Sequence, residues 1–292
     1  MDPMTATTRE RTASERLGTT IGDRYTLLSL LGEGGMGMVF LAEDRRTGGR
    51  VALKVLKRDA ADDQVVLARF EREAVTLQAL AHEHIVGVLG YGRSPEGEVC
   101  LVLEHVEGET LRSVLKRVRQ FPVANVLALA HQISLGLSRA HQLGVVHRDL
   151  KPENVMVRMG GGRTHIKILD FGMARLLTGG PATPLTRKGA IFGTPEYMAP
   201  EQAMGQPVDQ RADQYAFGVM LFEMLAGGRP FSAKSPLEML QMHIREAPPK
   251  LRAVAPATPA SHEAVIERMM SKAPAARFPD VGSAAAALVA CR

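Results

Sequence analysis

The chain has 292 residues, of which 45% are hydrophobic; that exceeds the usual single-core size and supplies apolar material for two packed lobes. A net charge of +5 with only 4% aromatic residues, no tryptophan and basic residues scattered along the chain argues against a nucleic-acid binder. Two cysteines, Cys100 and Cys291, exclude a disulfide framework and suggest a reducing compartment, and no apolar run approaches the ~18 residues of a membrane span.

Residues 1–22 are rich in Thr, Arg and Glu with almost no large apolar side chains, and are expected to form a mobile N-terminal tail. From Tyr25 the pattern changes to Tyr25–Leu31, a glycine cluster Gly32-Glu33-Gly34-Gly35-Met36-Gly37, and a second apolar run, Met38–Leu41. In a dinucleotide-binding turn such glycines open a helix. Here both flanks read as strands, so the spacing fits a hairpin whose backbone covers nucleotide phosphates, where side chains would block close approach. Arg45–Gly49 then supplies a turn into Val51–Lys54. Lys54 lies inside an apolar strand and needs an anionic partner. Val65–Leu80 has helical apolar spacing and carries two candidates, Glu71 and Glu73.

His82-Glu83-His84 lacks the i, i+4 spacing of HExxH and reads as an exposed turn leading into a strand Ile85–Val88 rather than as a metal site. Val99–Leu103 is a further strand, and Val123–Leu143 is apolar at helical intervals. The richest stretch is His147-Arg148-Asp149-Leu150-Lys151-Pro152-Glu153-Asn154. It places an Asp able to take a hydroxyl proton beside a Lys, and near an Asn able to offer an amide oxygen to a cation. Phosphoryl transfer to an alcohol uses those groups. Ile166–Leu169 is a short apolar strand ending in a second carboxylate, Asp170, before Phe171-Gly172. Leu177–Lys188 is a polar segment with three threonines, Thr178, Thr183 and Thr186. Arg148 is a cation placed to hold an incoming phosphate.

The set Gly32–Gly37, Lys54, HRDLKPEN and DFG, in this order over roughly residues 25–290, resembles the eukaryotic-like serine/threonine protein kinases. Gly193–Glu201, GTPEYMAPE, resembles the family's substrate-docking and APE elements, and the Gln202 that follows it together with Ala275–Pro279 resembles bacterial members. The resemblance implies an α+β, two-lobed protein-kinase fold: a small β-rich N-lobe with hinge over 23–106 and a larger, mainly helical C-lobe over 107–292. It implies a catalytic trio, Asp149, Lys151 and Lys54, with Glu73 as the partner of Lys54. Nucleotide contacts fall on Leu31, Gly32, Gly34, Gly35, Gly37, Val39, Ala52 and Met156, and on main-chain groups of Glu104 and Val106, with Leu103 limiting access to the rear of the slot. Asn154 and Asp170 would hold Mg²⁺, or Mn²⁺ in its place. Asp213 would bond the backbone of the catalytic loop, Thr194 would contact Asp149 and Lys151, and Glu201 would pair with Arg277. Among the threonines, Thr186 is the implied phosphorylation site and Thr183 the second choice.

The expected activity is transfer of the γ-phosphoryl group of ATP to Ser/Thr hydroxyls of proteins in the cytoplasm, with no nucleic-acid partner and a transient dimer for autophosphorylation. A pseudokinase is disfavoured because Lys54, Asp149 and Asp170 are all present, and a small-molecule kinase by the GTPEYMAPE element. Related kinases carry further sensor or membrane-spanning regions, so the chain, ending at Cys291-Arg292, is expected to be part of a longer protein.

Overall fold

The computed structural model describes residues 12–34, 37–57, 64–95, 97–160, 163–171 and 194–291. These form two compact units, one built from residues up to Ala79 plus Gly87–His105, the other from Leu80–Val86 plus Val106 onward.

The first unit is a six-stranded antiparallel sheet with one long helix. Its strands are β1 (Thr20–Ile21), β2 (Tyr25–Gly34), β3 (Gly37–Asp44), β4 (Gly49–Leu56), β5 (Val88–Arg93) and β6 (Val99–Glu104), in the order β1-β2-β3-β4-β6-β5. Alternate residues point to one face, where Leu27, Phe40, Leu53 and Val55 are at most 1% exposed. Each such side chain contributes about 1.5–3 kcal/mol through burial. The expected tail is partly structured. Residues 12–22 form helix α1 (Ala13–Arg16), capped by Thr12 and Glu15, and strand β1, whose Ile21 is buried. The physical reason is Arg16, a buried cation that pairs with Glu98 and lies over the Phe40 ring, a long-range anchor that local composition does not show. Residues 1–11 lie outside the described residues. Helix α2 spans Gln64–Gln78 and buries Phe70, Ala74 and Leu77.

The second unit is mainly helical, with a three-stranded sheet of β7 (Glu109–Thr110), β8 (Val155–Gly160) and β9 (Arg163–Ile168). Its helices are α3 (Leu111–Val118), α4 (Val123–Gln142), α5 (Pro200–Ala203), α6 (Arg211–Ala226), α7 (Pro236–Arg245), α8 (Leu251–Val254), α9 (Ala260–Met269) and α10 (Val281–Ala290). Every residue of α6 from Ala212 to Leu225 is buried, the polar Asp213, Gln214 and Glu223 among them. Helix α4 packs against β9 through Gly136, where an added Cβ would come within 2.9 Å of Ile168 Cδ1. The strand expected at Ile85–Val88 begins instead at Val88. Ile85 makes one isolated parallel bridge to Ile168, and His84 is buried rather than exposed. The cause is the β9 edge, which takes the Val86 amide on the Ile168 carbonyl at 2.9 Å.

Candidate active site

The loop between α4 and β8 carries Asp149, Lys151 and Asn154, and its path is fixed by one buried carboxylate. Asp213, in the first turn of α6, accepts hydrogen bonds from the His147 and Arg148 amides at 2.8 Å each, and lies 2.8 Å from His141 Nε2. Burial alone would raise the Asp213 carboxyl, but the His141 bond and the nearby imidazoles and amides hold it below the usual carboxylate value. Arg148 is therefore kept at φ 68°, a strained conformation for a residue with a Cβ. Its carbonyl accepts from Gln202 Nε2 at 2.9 Å.

Lys151 Nζ donates to Asp149 Oδ2 at 2.7 Å and to Thr194 Oγ1 at 2.5 Å. Thr194 thus meets Asp149 through Lys151. Asn154 Nδ2 donates to the Asp149 carbonyl at 2.8 Å, an orientation that reserves the amide oxygen for a cation. The Leu169 amide donates to the Asn154 carbonyl at 2.8 Å, and His147 Nε2 donates to the Leu169 carbonyl at 2.8 Å. Those two bonds tie the loop to the residue preceding Asp170, which adopts φ 55°. The His147 ring packs on Phe171 with centroids 4.7 Å apart. Oxygen donors from Asn154 and Asp170 suit a hard divalent cation.

A second network supports the loop from beneath. Arg112 Nε bonds Glu153 at 2.7 Å and its Nη1 bonds Glu223 at 2.7 Å, while the Tyr197 hydroxyl meets both Arg112 and Glu223. Burial opposes the Arg112 charge, yet the bonds to Glu223 and Glu153 more than offset it and raise its pKa. Burial, reinforced by Glu223, pushes the Tyr197 phenol up. Glu201 and Arg277 form the implied pair, bidentate at 2.7 and 2.8 Å and buried on both sides.

In the first unit, Gly37 has φ 154° and a Cβ there would sit 2.0 Å from the Val55 carbonyl oxygen, so any side chain would force the strands apart at this point. Gly32 and Gly34 lie on β2, and Gly35 lies outside the described residues. Lys54 is 6% exposed on β4, with Val39 and Leu101 as its cross-strand neighbours. Glu71 is exposed, and the Glu73 side chain is outside the described residues. Leu31 is exposed, while Val39 and Ala52 are half-buried. Leu103 is buried on β6. The Glu104 amide is already bonded to the Gly87 carbonyl at 2.9 Å, and its carboxylate accepts from the Gly87 amide at 3.0 Å. Val106 and Met156 are half-buried residues of the second unit. Thr178, Thr183 and Thr186 lie outside the described residues.

Sequence reasoning did not find His141, Arg112 or Glu223. His141 belongs to a helix read only for apolar spacing, the helix of Arg112 was not read from the sequence, and no local string distinguishes either residue from a surface one.

Residues 25–286 match the family model described as protein kinase domain. The chain belongs to that family. It is 40% identical over 270 residues to the serine/threonine-protein kinase pkn3 of Myxococcus xanthus, a match covering 90% of this chain and 49% of that protein. It is 40% identical over 283 residues to the serine/threonine-protein kinase PknA of Mycobacterium tuberculosis, covering 96% of this chain and 64% of that one. The chain thus spans about half to two thirds of the length of these relatives. Its structure resembles the crystal structure of the Mycobacterium tuberculosis PknI kinase domain, with a TM-score of 0.71, 31% identity and coverage of 96% and 99% of the two chains. The chain is a bacterial, eukaryotic-like serine/threonine kinase domain with the kinase fold, a strand-rich unit and a helical one. Among the described residues no helix is long and apolar enough to cross a membrane.

Proposed function

We propose that the chain transfers the γ-phosphoryl group of ATP to Ser or Thr hydroxyls of proteins, with Asp149 as the group that orients the incoming hydroxyl and accepts its proton. The observation that carries this reading is the Asp149 carboxylate held at 2.7 Å by Lys151, on a loop pinned by Asp213. A carboxylate fixed in place suits a loose transition state that asks for positioning more than for early proton removal. Lys151 then remains beside the transferred phosphate, and Thr194 keeps it aimed. Lys54, with Glu73 as its partner, holds the α- and β-phosphates. Gly32, Gly34, Gly35 and Gly37 let backbone approach them, and Leu31, Val39, Ala52 and Met156 line the adenine slot with main-chain groups of Glu104 and Val106. A divalent cation on Asn154 and Asp170, read as Mg²⁺ with Mn²⁺ as its substitute, supplies countercharge to the phosphate oxygens. The substrates are proteins of the cytoplasm, where ATP is present.

Regulation by autophosphorylation on Thr186, with Thr183 second, within a transient dimer, belongs to the same reading. A phosphothreonine of about −1.5 to −2 charges could engage Arg148. Incubation with Mg²⁺ and γ-labelled ATP, followed by mapping of the labelled residues, tests both parts. Asp149→Asn should lower turnover by about 10²–10⁴-fold while nucleotide binding persists. Equal turnover in that variant would remove Asp149 from the mechanism, and active enzyme without phosphate on Thr186 or Thr183 would remove the regulatory part alone.

A further inference from the structure

Away from the catalytic loop, the second unit brings together three metal-ligating side chains that are far apart in sequence. Glu83 and His84 precede the Ile85 bridge, and His165 lies on β9. One ligand atom from each lies within 4.8 Å of the others, the one such group of three among the described residues. The His84 and His165 rings are tilted against each other with centroids 4.9 Å apart.

Hydrogen bonding decides what these rings can offer. His84 Nδ1 lies 3.2 Å from the Ile166 carbonyl. A carbonyl only accepts, so Nδ1 carries the hydrogen and the lone pair resides on Nε2. That Nε2 faces the Glu83 carboxylate at 4.0 Å, too long for a hydrogen bond. His165 Nε2 is anchored on the Glu83 carbonyl at 3.2 Å, leaving that ring one further nitrogen. Imidazoles whose second nitrogen is held by a backbone carbonyl are typical of metal ligands.

We infer that Glu83, His84 and His165 form a reversible binding site for a borderline divalent transition-metal ion of the Zn²⁺ class. Two imidazoles and one carboxylate match Zn²⁺ rather than Mg²⁺ or Ca²⁺, which take oxygen ligands. Tetrahedral Zn²⁺ with bonds of about 2.0–2.1 Å needs ligand atoms about 3.4 Å apart. The Glu83 carboxylate stands 4.0 Å from His84 Nε2 on a side chain that is 70% exposed, so it can turn inward to that spacing. His84 is the fixed point: its carbonyl accepts from the Ile168 amide at 2.9 Å, and a Cβ on Gly136 of α4 would stand only 3.1 Å from that oxygen. A fourth position is left to water. His82 serves a different end, since its Nδ1 accepts from the His84 amide at 3.1 Å. The ion cross-links residues 83–84 to β9, the strand that leads into Leu169 and Asp170.

The test is titration of the full chain with Zn²⁺ under reducing conditions and excess Mg²⁺, comparing wild type with His165→Ala and Glu83→Gln. One equivalent should bind to wild type, and the affinity should fall at least tenfold in His165→Ala and severalfold in Glu83→Gln. Substitution with Co²⁺ should give visible bands of a low-coordinate nitrogen and oxygen site without thiolate absorption. Glu83 is exposed, so Glu83→Gln folds and keeps the test valid if His165→Ala does not. No Zn²⁺ binding, or equal affinity in wild type and Glu83→Gln, would overturn the assignment, as would thiolate bands placing the ion on Cys100 or Cys291.

Discussion

The loop around Asp149 and the glycine hairpin of β2 and β3 hold backbone in place by opposite means. In the loop, buried charges impose the conformation: Asp213 collects two amides and an imidazole, and Arg148 accepts a positive φ in consequence. At the start of β3 the missing side chain of Gly37 sets how closely the strands approach, since a Cβ there would stand 2.0 Å from the Val55 carbonyl oxygen. Such a polar network is all-or-none, because each lost partner strands a buried charge. A glycine contact is graded, because strands can part locally.

The buried ion pair of Glu201 and Arg277, in the same unit as the loop, gives that contrast its strongest test. Glu201→Gln leaves the Arg277 guanidinium, fully buried, with three backbone carbonyls and no carboxylate paired to it. Stability should fall by about 3–5 kcal/mol in urea unfolding. Pairing it with Arg277→Met should recover part of that loss, since the stranded charge goes with it. A loss below about 1 kcal/mol in the single variant would mean that the carbonyls of Arg211, Ser271 and Lys272 suffice.

A smaller effect comes from His243 on α7, whose Nδ1 meets the Tyr215 hydroxyl at 2.8 Å and whose Nε2 meets the Glu196 carbonyl at 3.0 Å. Burial, then repulsion from Lys272, lowers its pKa from 6.5 to about 4. As pH falls the unfolded chain binds the proton first. The contribution is therefore complete above pH 6.5 and is lost between 6.5 and about 4, by up to about 3 kcal/mol. Asp213, whose carboxyl is held below its ordinary 3.8, loses its contribution at lower pH still. A His243→Gln protein whose stability kept the same slope between pH 6.5 and 4 would move the acid sensitivity elsewhere.

The two regions also differ in how plainly the sequence announces them. HRDLKPEN and DFG are charged strings whose chemistry is local, and the pairing of Glu201 with Arg277 and the role of Asp213 followed from family resemblance. The strands flanking the glycines were legible as apolar runs, though β2 extends to Gly34 and β3 to Asp44, past those runs. What stayed hidden depends on contacts distant in sequence. Arg16 anchors residues 12–22 through Glu98, and His84 is buried by the β9 edge. Composition reads the first as a tail and the second as a turn, because neither partner lies within the window that composition samples.

Gly37→Ala sharpens the contrast from the hairpin side. The added Cβ meets backbone, the Val55 carbonyl oxygen and carbon at 2.0 and 2.9 Å, so no rotamer change relieves it, and the φ of 154° disfavours any side chain. Gly37 pairs with Leu56 on β4 and with Gly34 at the end of β2, which makes it the last rung of both ladders. The rung can open without disturbing Phe40 and Leu53, which pair further along and are fully buried. Stability should therefore fall by about 1–2 kcal/mol, less than for either change in the helical unit. Hydrogen exchange should quicken at the amides of Met38 and Val55 and stay slow at Phe40 and Leu53. Loss of protection across the whole of β3 and β4 would mean instead that the hairpin end and the core of the first unit open together, and that glycine contacts there are as cooperative as the charges around Asp149.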